Sequence, residues 1–375
     1  MALTKEQIVE SLGKIATPDG RPLPQSGVLS DVVVTDGKVF FSISVDAAVV
    51  QSWEPVRKAA EAAVRALPDV RSVMVALTAE RAPAAGAGPR PAPAGAAGAR
   101  GGPNAAKAPE GVEAIIAVAS GKGGVGKSTT AVNLALGLRD IGLKVGMLDA
   151  DIYGPSVPKL LAIRGKPQTK GGTRLLPMDG YGLKVMSIGF LVEEETPMIW
   201  RGPMVMSALT QMLREVEWGT LDVMVVDMPP GTGDAQLTMA QQVPLAGAII
   251  VSTPQDLALI DARRGIAMFR RVNVPVLGIV ENMSYFLCPH CGERSDVFGH
   301  GGARREAERL NVPFLGEVPL DLEIRETSDA GRPLIVSEPN SAQAAVYREI
   351  AKNVWRELGK TRGADRAAPR IVIEA

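Results

Sequence analysis

From Val112 onward, short unbroken apolar runs alternate with longer stretches of helical periodicity, a pattern that predicts parallel strands covered by crossover helices. The predicted strands are 113–119, 144–148, 185–188, 223–226, 247–251, 276–280 and 314–318. Near the end, Val346, Ile350, Val354 and Leu358 recur at helical spacing, so Ser341 to Leu358 reads as a helix packed on that sheet. The first eighty residues follow another rhythm. Ile8, Val9 and Leu12 share one face of a short helix over 4–14, which the Pro/Gly segment Pro18 to Pro24 ends. Two strand-like runs, 27–34 and 38–45, meet across Thr35-Asp36-Gly37, whose Asp-Gly pair suits a hairpin turn. An Ala-rich amphipathic helix over 53–67 and a strand over 70–77 complete a compact α+β module.

Between these two patterns, from about Glu80 to Glu110, the chain turns to Ala, Gly and Pro, which bury too little apolar surface to order a segment. The expected organisation is a small α+β domain (1–80), a flexible linker (81–111), an α/β domain (112–360) and a polar tail (361–375). Charge narrows the partners: 41 basic residues balance 41 acidic ones, so no overall field recruits nucleic acid or an anionic membrane, and neither is expected. Cys288 and Cys291 are the only cysteines and lie too close together to staple a secreted fold, which fits a reducing cytoplasm. The first ten residues carry Lys5, Glu6 and Glu10 in place of an apolar signal core, and no stretch approaches about eighteen uninterrupted apolar residues.

Three segments carry the chemistry. Gly121-Lys122-Gly123-Gly124-Val125-Gly126-Lys127-Ser128 follows a predicted strand and opens a helix, the context a phosphate-binding P-loop requires. Its glycines let backbone amides curl around phosphate oxygens, Lys127 reaches the β and γ phosphates of ATP, and Ser128 offers a ligand to Mg²⁺. The run Val223-Met224-Val225-Val226-Asp227 ends a buried strand in a carboxylate suited to outer-shell coordination of Mg²⁺ beside that loop. The Pro/Gly segment Met228 to Asp234 after it suits a switch that senses the γ-phosphate. Cys288-Pro289-His290-Cys291-Gly292 is a knuckle whose two thiolates converge on one metal. With no other cysteine in the chain, a four-thiolate site needs a second subunit. A structural zinc knuckle and a redox dithiol are the alternatives for this pair.

With Lys122 one residue into the loop, the P-loop resembles the deviant Walker A pattern of nitrogenase iron proteins, MinD and ParA ATPases and Mrp-type iron–sulfur carriers. Together with Asp149-Ala150-Asp151-Ile152-Tyr153-Gly154-Pro155-Ser156, Asp227 to Asp234, Glu281-Asn282-Met283-Ser284 and the cysteine pair, 115–358 resembles the Mrp/ApbC carriers. The resemblance implies a P-loop NTPase fold, a mostly parallel sheet flanked by helices, acting as an ATP-sandwiched homodimer. In it Lys122 reaches the facing subunit's nucleotide, Asp151 positions the attacking water, and Asp149 supports Mg²⁺. Gly121 through Thr129 hold the nucleotide, with Asn282 at the adenine. A capping or turn role is the plain alternative for Asp149, Asp151 and Asn282. The resemblance further implies ATP hydrolysis coupled to a 4Fe–4S iron–sulfur cluster that Cys288 and Cys291 bridge between subunits. The partners would be apo iron–sulfur proteins and a cluster assembly scaffold. The first domain resembles the small module of iron–sulfur assembly factors, but residues 1–110 lack the cysteine that module often carries. The rival reading is a MinD/ParA-type positioning ATPase with a zinc knuckle, for which Arg370 to Ala375 makes a poor membrane segment.

Overall fold

A computed structural model describes residues 4–30, 32–35, 38–46, 49–68, 70, 72–80, 108–170, 174–191 and 202–364. Two units divide them. In the N-terminal one, Thr4 caps helix α1 (Lys5–Leu12): its hydroxyl accepts from the Gln7 amide and the Gln7 side chain accepts from the Thr4 amide. This capping box satisfies donors that the first turn would otherwise leave open. Strand β1 (Val33–Thr35) runs antiparallel to β2 (Lys38–Asp46), and β3 (Ser72–Glu80) lies parallel to β2 after the crossover helix α2 (Val50–Arg65). Val39, Phe41, Ile43 and Val45 alternate onto one face of β2, and Trp53, Val56, Ala60 and Val64 share one side of α2 in the same core. The expected hairpin pairs Val34 with Val39 and Thr35 with Lys38, while its turn Asp36-Gly37 lies outside the described residues. The first strand is shorter than its apolar run: among the described residues before Val33, backbone pairing with β2 is limited to an isolated Leu29–Ile43 bridge. Most of the expected linker, 81–107, also lies outside the described residues.

The remainder of the chain bears out the α/β expectation. In order it forms β4 (Ile115–Ala119), α3 (Lys127–Asp140), β5 (Val145–Asp149), α4 (Val157–Leu160), β6 (Thr169–Lys170), β7 (Arg174–Leu175), β8 (Met178–Gly180) and β9 (Leu183–Ser187). Next come α5 (Gly202–Arg214), β10 (Val223–Asp227), α6 (Asp234–Gln242), β11 (Gly247–Ser252), α7 (Asp256–Arg271) and β12 (Val276–Glu281). The chain closes with β13 (Phe286–Leu287), β14 (Arg294–Ser295), α8 (Gly302–Leu310), β15 (Phe314–Glu317), α9 (Leu322–Asp329), α10 (Leu334–Ser337) and α11 (Ala342–Ala364). Eight strands form one sheet in the order β15-β12-β11-β4-β10-β5-β9-β8, parallel throughout except for β8. All seven predicted strands are in it. The eighth, Met178-Asp179-Gly180, is too short and polar to announce itself.

The chain leaves β4 for β5 on one side and later builds β11 and β12 on the other, so β4 marks the point where the winding reverses, and ligands of such sheets gather at its carboxyl end. Helix α3 is buried from Thr130 to Leu138, because the sheet and α11 enclose it. Gly137 permits that closeness, since a Cβ there would lie 2.9 Å from the Ala351 methyl. Helix α11 runs through the first four residues of the expected polar tail, to Ala364, and near its end Arg362 pairs with Glu113 at 3.3 Å. Residues 365–375 lie outside the described residues, among which no helix is long and apolar enough to cross a membrane.

Candidate functional site

The fully buried strand β4 runs through Ser120 into the glycine loop, and α3 starts at Lys127. Gly126, at the helix N-cap, has φ +78°, a left-handed conformation that side chains disfavour. Any Cβ there would also meet the Asn282 amide nitrogen at 2.2 Å. Gly121 is required by packing as well, because a Cβ would sit 2.3 Å from the Asp261 carbonyl carbon on α7. Lys122 is half-buried, and its ammonium joins no ion pair among the described residues. Gly123 and Gly124 are exposed, Val125 is buried, and Ser128 and Thr129 are half-buried on the first turn of α3.

Lys127, only 6% exposed, draws the site together. Its Nζ donates to Asp227 Oδ1 at 2.6 Å and to Ser128 Oγ at 3.1 Å, and it lies 3.7 Å from Asp151 Oδ2. Burial raises the pKa of both Asp227 and Asp151, against the pull of the Lys127 charge. Asp149 takes another part. One of its oxygens accepts from the Asp151 amide at 3.2 Å, and the other accepts from the Val157 amide at 3.2 Å and the Ser187 hydroxyl at 3.0 Å. It thereby braces the turn that carries Asp151. Burial, and then the neighbouring Asp227 charge, push its pKa up to about 7.

The second oxygen of Asp227 is buried with no hydrogen-bond partner, in a cluster of three acids facing a single lysine. An orphaned hard-oxygen donor amid excess negative charge fits Mg²⁺, with the Ser128 hydroxyl 3.1 Å from the same Lys127 ammonium as a second oxygen. Asn282 lies against the loop: its side-chain nitrogen donates to the Val125 carbonyl at 2.8 Å and its amide to Ser252. The Pro/Gly segment after β10 is tied back to the P-loop strand, with the Met228 amide donating to Val118 and the Gly231 amide to Ser120. Beside it, Asp151, Tyr153, Gly154, Pro230, Gly233 and Gln236 line a cleft of about 380 Å³. The sequence reading missed Ser187 and Gln236. Gln236 donates to the Pro229 carbonyl at 3.2 Å and keeps its own carbonyl oxygen buried and unpartnered. Neither residue belongs to a recognisable motif, and only the fold brings them to the site.

The cysteines form a second locus, on the short hairpin of β13 and β14 that follows β12. The Cys288 amide donates to the Glu293 carbonyl and the Gly292 amide to the Cys288 carbonyl, at 3.0 and 2.8 Å. Gly292, at φ +73°, closes the turn. The amides of Cys291 and His290 point at the Cys288 sulfur and hold its thiol below the usual pKa range. Cys288 is half-buried and Cys291 exposed. Among the described residues, no third His, Cys, Asp or Glu side chain joins this pair in a group that could hold a metal ion.

Two family profiles match the chain: one described as NUBPL iron-transfer P-loop NTPase covers 111–355, and one described as iron–sulfur cluster assembly protein covers 5–76. The chain is 54% identical over 269 residues to the iron–sulfur cluster transfer protein NUBPL of Dictyostelium discoideum, covering 70% of this chain and 83% of that one. It is 43% identical over 363 residues to the iron–sulfur cluster carrier protein of Synechocystis, covering 94% and 97%. A nucleotide-binding protein of Archaeoglobus fulgidus, solved in complex with ADP, superposes with a TM-score of 0.56 at 42% identity, over 62% of this chain and 91% of that one. The cell division ATPase MinD of Pyrococcus furiosus, at 22% identity and a TM-score of 0.50 over 65% and 98%, shares the fold.

Proposed function

The chain belongs to the NUBPL iron-transfer P-loop NTPase family, and we propose that it is an ATP-hydrolysing homodimeric carrier that binds an iron–sulfur cluster and passes it to apoproteins. The observation that carries this reading is the Cys288–Cys291 knuckle: a half-buried and an exposed thiol, no third in the chain, in a domain that also carries a complete phosphate loop. Two thiolates from each of two subunits would complete a four-ligand site on the two-fold axis, from which a 4Fe–4S cluster is handed on. The names of the relatives support the cargo.

In hydrolysis, water attacks the γ-phosphorus and the bond to the ADP oxygen breaks. The loop amides and Lys127 hold the phosphates. Lys127 exchanges its contact with Asp227 for phosphate oxygens, and Lys122 of each subunit adds charge at the other's nucleotide. Asp151 orients the water, and its raised pKa suits it to take the proton. Asp149 keeps the Asp151 turn in place. Ser128 and Asp227 would hold Mg²⁺ with support from Asp149, and when bound it would supply charge that offsets the transferring phosphoryl group. Asn282, held against the loop, would also meet the nucleotide base. The cytoplasm is the compartment that suits its two free thiols.

Metal content after anaerobic reconstitution tests the reading. About four irons per dimer with a visible charge-transfer band, absent in Cys288→Ser, are expected. Stoichiometric zinc without an iron chromophore would overturn it in favour of a structural knuckle.

A further inference from the structure

The cysteine hairpin is an excursion between β12 and α8, and both ends of it return to one buried side chain. Glu281, the last residue of β12, is fully buried. Its Oε1 accepts from the Ser284 hydroxyl at 2.6 Å and its Oε2 from the Ala303 amide at 2.6 Å. Ser284 precedes the hairpin, and Ala303 follows it in the first turn of α8. Cys288 and Cys291 therefore ride on a loop whose entry and exit are clasped by a single carboxyl group. The entry is also tied by backbone bonds, the Ser284 amide to the Val318 carbonyl at 2.9 Å and the Leu320 amide to the Tyr285 carbonyl at 2.7 Å, while Arg294 over the Tyr285 ring at 4.3 Å and Arg294 to Asp296 at 2.9 Å are solvent-accessible contacts that contribute little.

The same strand end touches the phosphate loop. Asn282 donates to the Val125 carbonyl at 2.8 Å, and its side chain fills the space beside Gly126. Met283, next in the chain, is held at φ +54°, a left-handed conformation that a non-glycine residue keeps only under constraint. Its methyl group lies 3.9 Å from where a Gly126 Cβ would be. Three consecutive residues, Asn282, Met283 and Ser284, thus run from the phosphate loop to the Glu281 clasp, with a strained residue at the centre.

We propose that Glu281 is a positioning residue that couples the two sites: it makes the orientation of the cysteine hairpin depend on the state of the phosphate loop through Asn282 and the Met283 turn. Nucleotide that draws the Val125 peptide towards phosphate shifts Asn282, and the turn passes the shift to the clasp holding both ends of the hairpin. This rests on the reading of Cys288 and Cys291 as cluster ligands, but its test does not need the cluster.

The test is alkylation of Cys288 and Cys291 by N-ethylmaleimide in metal-free full-length protein, with and without Mg²⁺ and a non-hydrolysable ATP analogue. In the wild type, nucleotide changes the Cys288 labelling rate at least about threefold, the scale of a modest coupling between sites. In Glu281→Gln, which presents an amide donor where one of two donors must be accepted, the ratio falls to near one while analogue affinity is retained. Ser284→Ala removes one arm of the clasp, and it lowers the ratio in the same direction should Glu281→Gln fail to fold. Absence of a nucleotide effect in the wild type, or its full retention in the folded variants, overturns the coupling. The metal content of reconstituted wild-type protein decides the carrier reading separately.

Discussion

Gly126→Ala isolates the contact on which the phosphate loop rests. At φ +78° an L residue costs about 1–2 kcal/mol. The new methyl would lie 2.2 Å from Asn282 Nδ2, so that side chain must turn away and give up its 2.8 Å bond to the Val125 carbonyl. A buried hydrogen bond adds about 1 kcal/mol, which brings the loss to about 2–3 kcal/mol. Gly124→Ala is the control: φ there is +81°, but nothing lies within 4 Å of the added carbon, so only the conformational cost applies. In nucleotide-free thermal unfolding, Gly126→Ala should lower the transition of the unit holding the P-loop by about 5–10 °C, and Gly124→Ala by about half of that. A double-mutant cycle sharpens the test. In an Asn282→Ala background the clash is gone, so Gly126→Ala should cost about 1 kcal/mol less than in the wild type. Additivity of the two substitutions within about 0.5 kcal/mol would refute the contact and the link to the cysteine hairpin built on it.

Lys127→Ala should lower the ATP hydrolysis rate at least about 10²-fold, since it removes the charge aimed at the phosphates, and should abolish cluster delivery in cells. Full delivery by that variant would separate hydrolysis from transfer. Stability of the nucleotide-free, EDTA-treated protein should fall as pH rises from about 4 to about 7. Asp149 has a folded-state pKa raised to about 7, so its contribution is fully present below the unfolded value of 3.8 and is lost through that window. Asp149→Asn should flatten this part of the melting-temperature profile, and an unchanged slope would show that another group titrates. Ser187→Ala, which removes one donor to Asp149, should destabilise by about 1 kcal/mol in denaturant unfolding at pH 8 and by less at pH 5, where the acid is already neutral.

The sheet was legible because its central strands are buried on both faces, so Ile115–Ala119 and Val223–Val226 had to be apolar throughout. Strand β8 has no such demand: among the described residues it pairs only with β9, and its sequence Met178-Asp179-Gly180 is that of a turn. The phosphate loop was legible for two reasons that the sequence cannot separate. Some of its glycines leave room for phosphate, but Gly121 and Gly126 are also imposed by Asp261 and Asn282, residues far along the chain. Partners such as Ser187 and Ala303 were illegible, since the bonds that bring them to Asp149 and Glu281 are long-range and nothing nearby in sequence marks them.

A buried strand that ends in an acid signals a task, and Asp149, Asp227 and Glu281 all meet that description, at the ends of β5, β10 and β12. The task itself depends on what surrounds the two carboxyl oxygens. Both oxygens of Asp149 accept from protein donors, as do both oxygens of Glu281, so each closes a loop: one carries Asp151, the other the cysteines. Asp227 spends one oxygen on Lys127 and leaves the other bare. A buried acceptor without a donor costs about 1–3 kcal/mol, a cost that a site sustains when a ligand relieves it. By that criterion, and on the function proposed above, Asp227 is the acid expected to meet a cation, while Asp149 and Glu281 hold their loops in place.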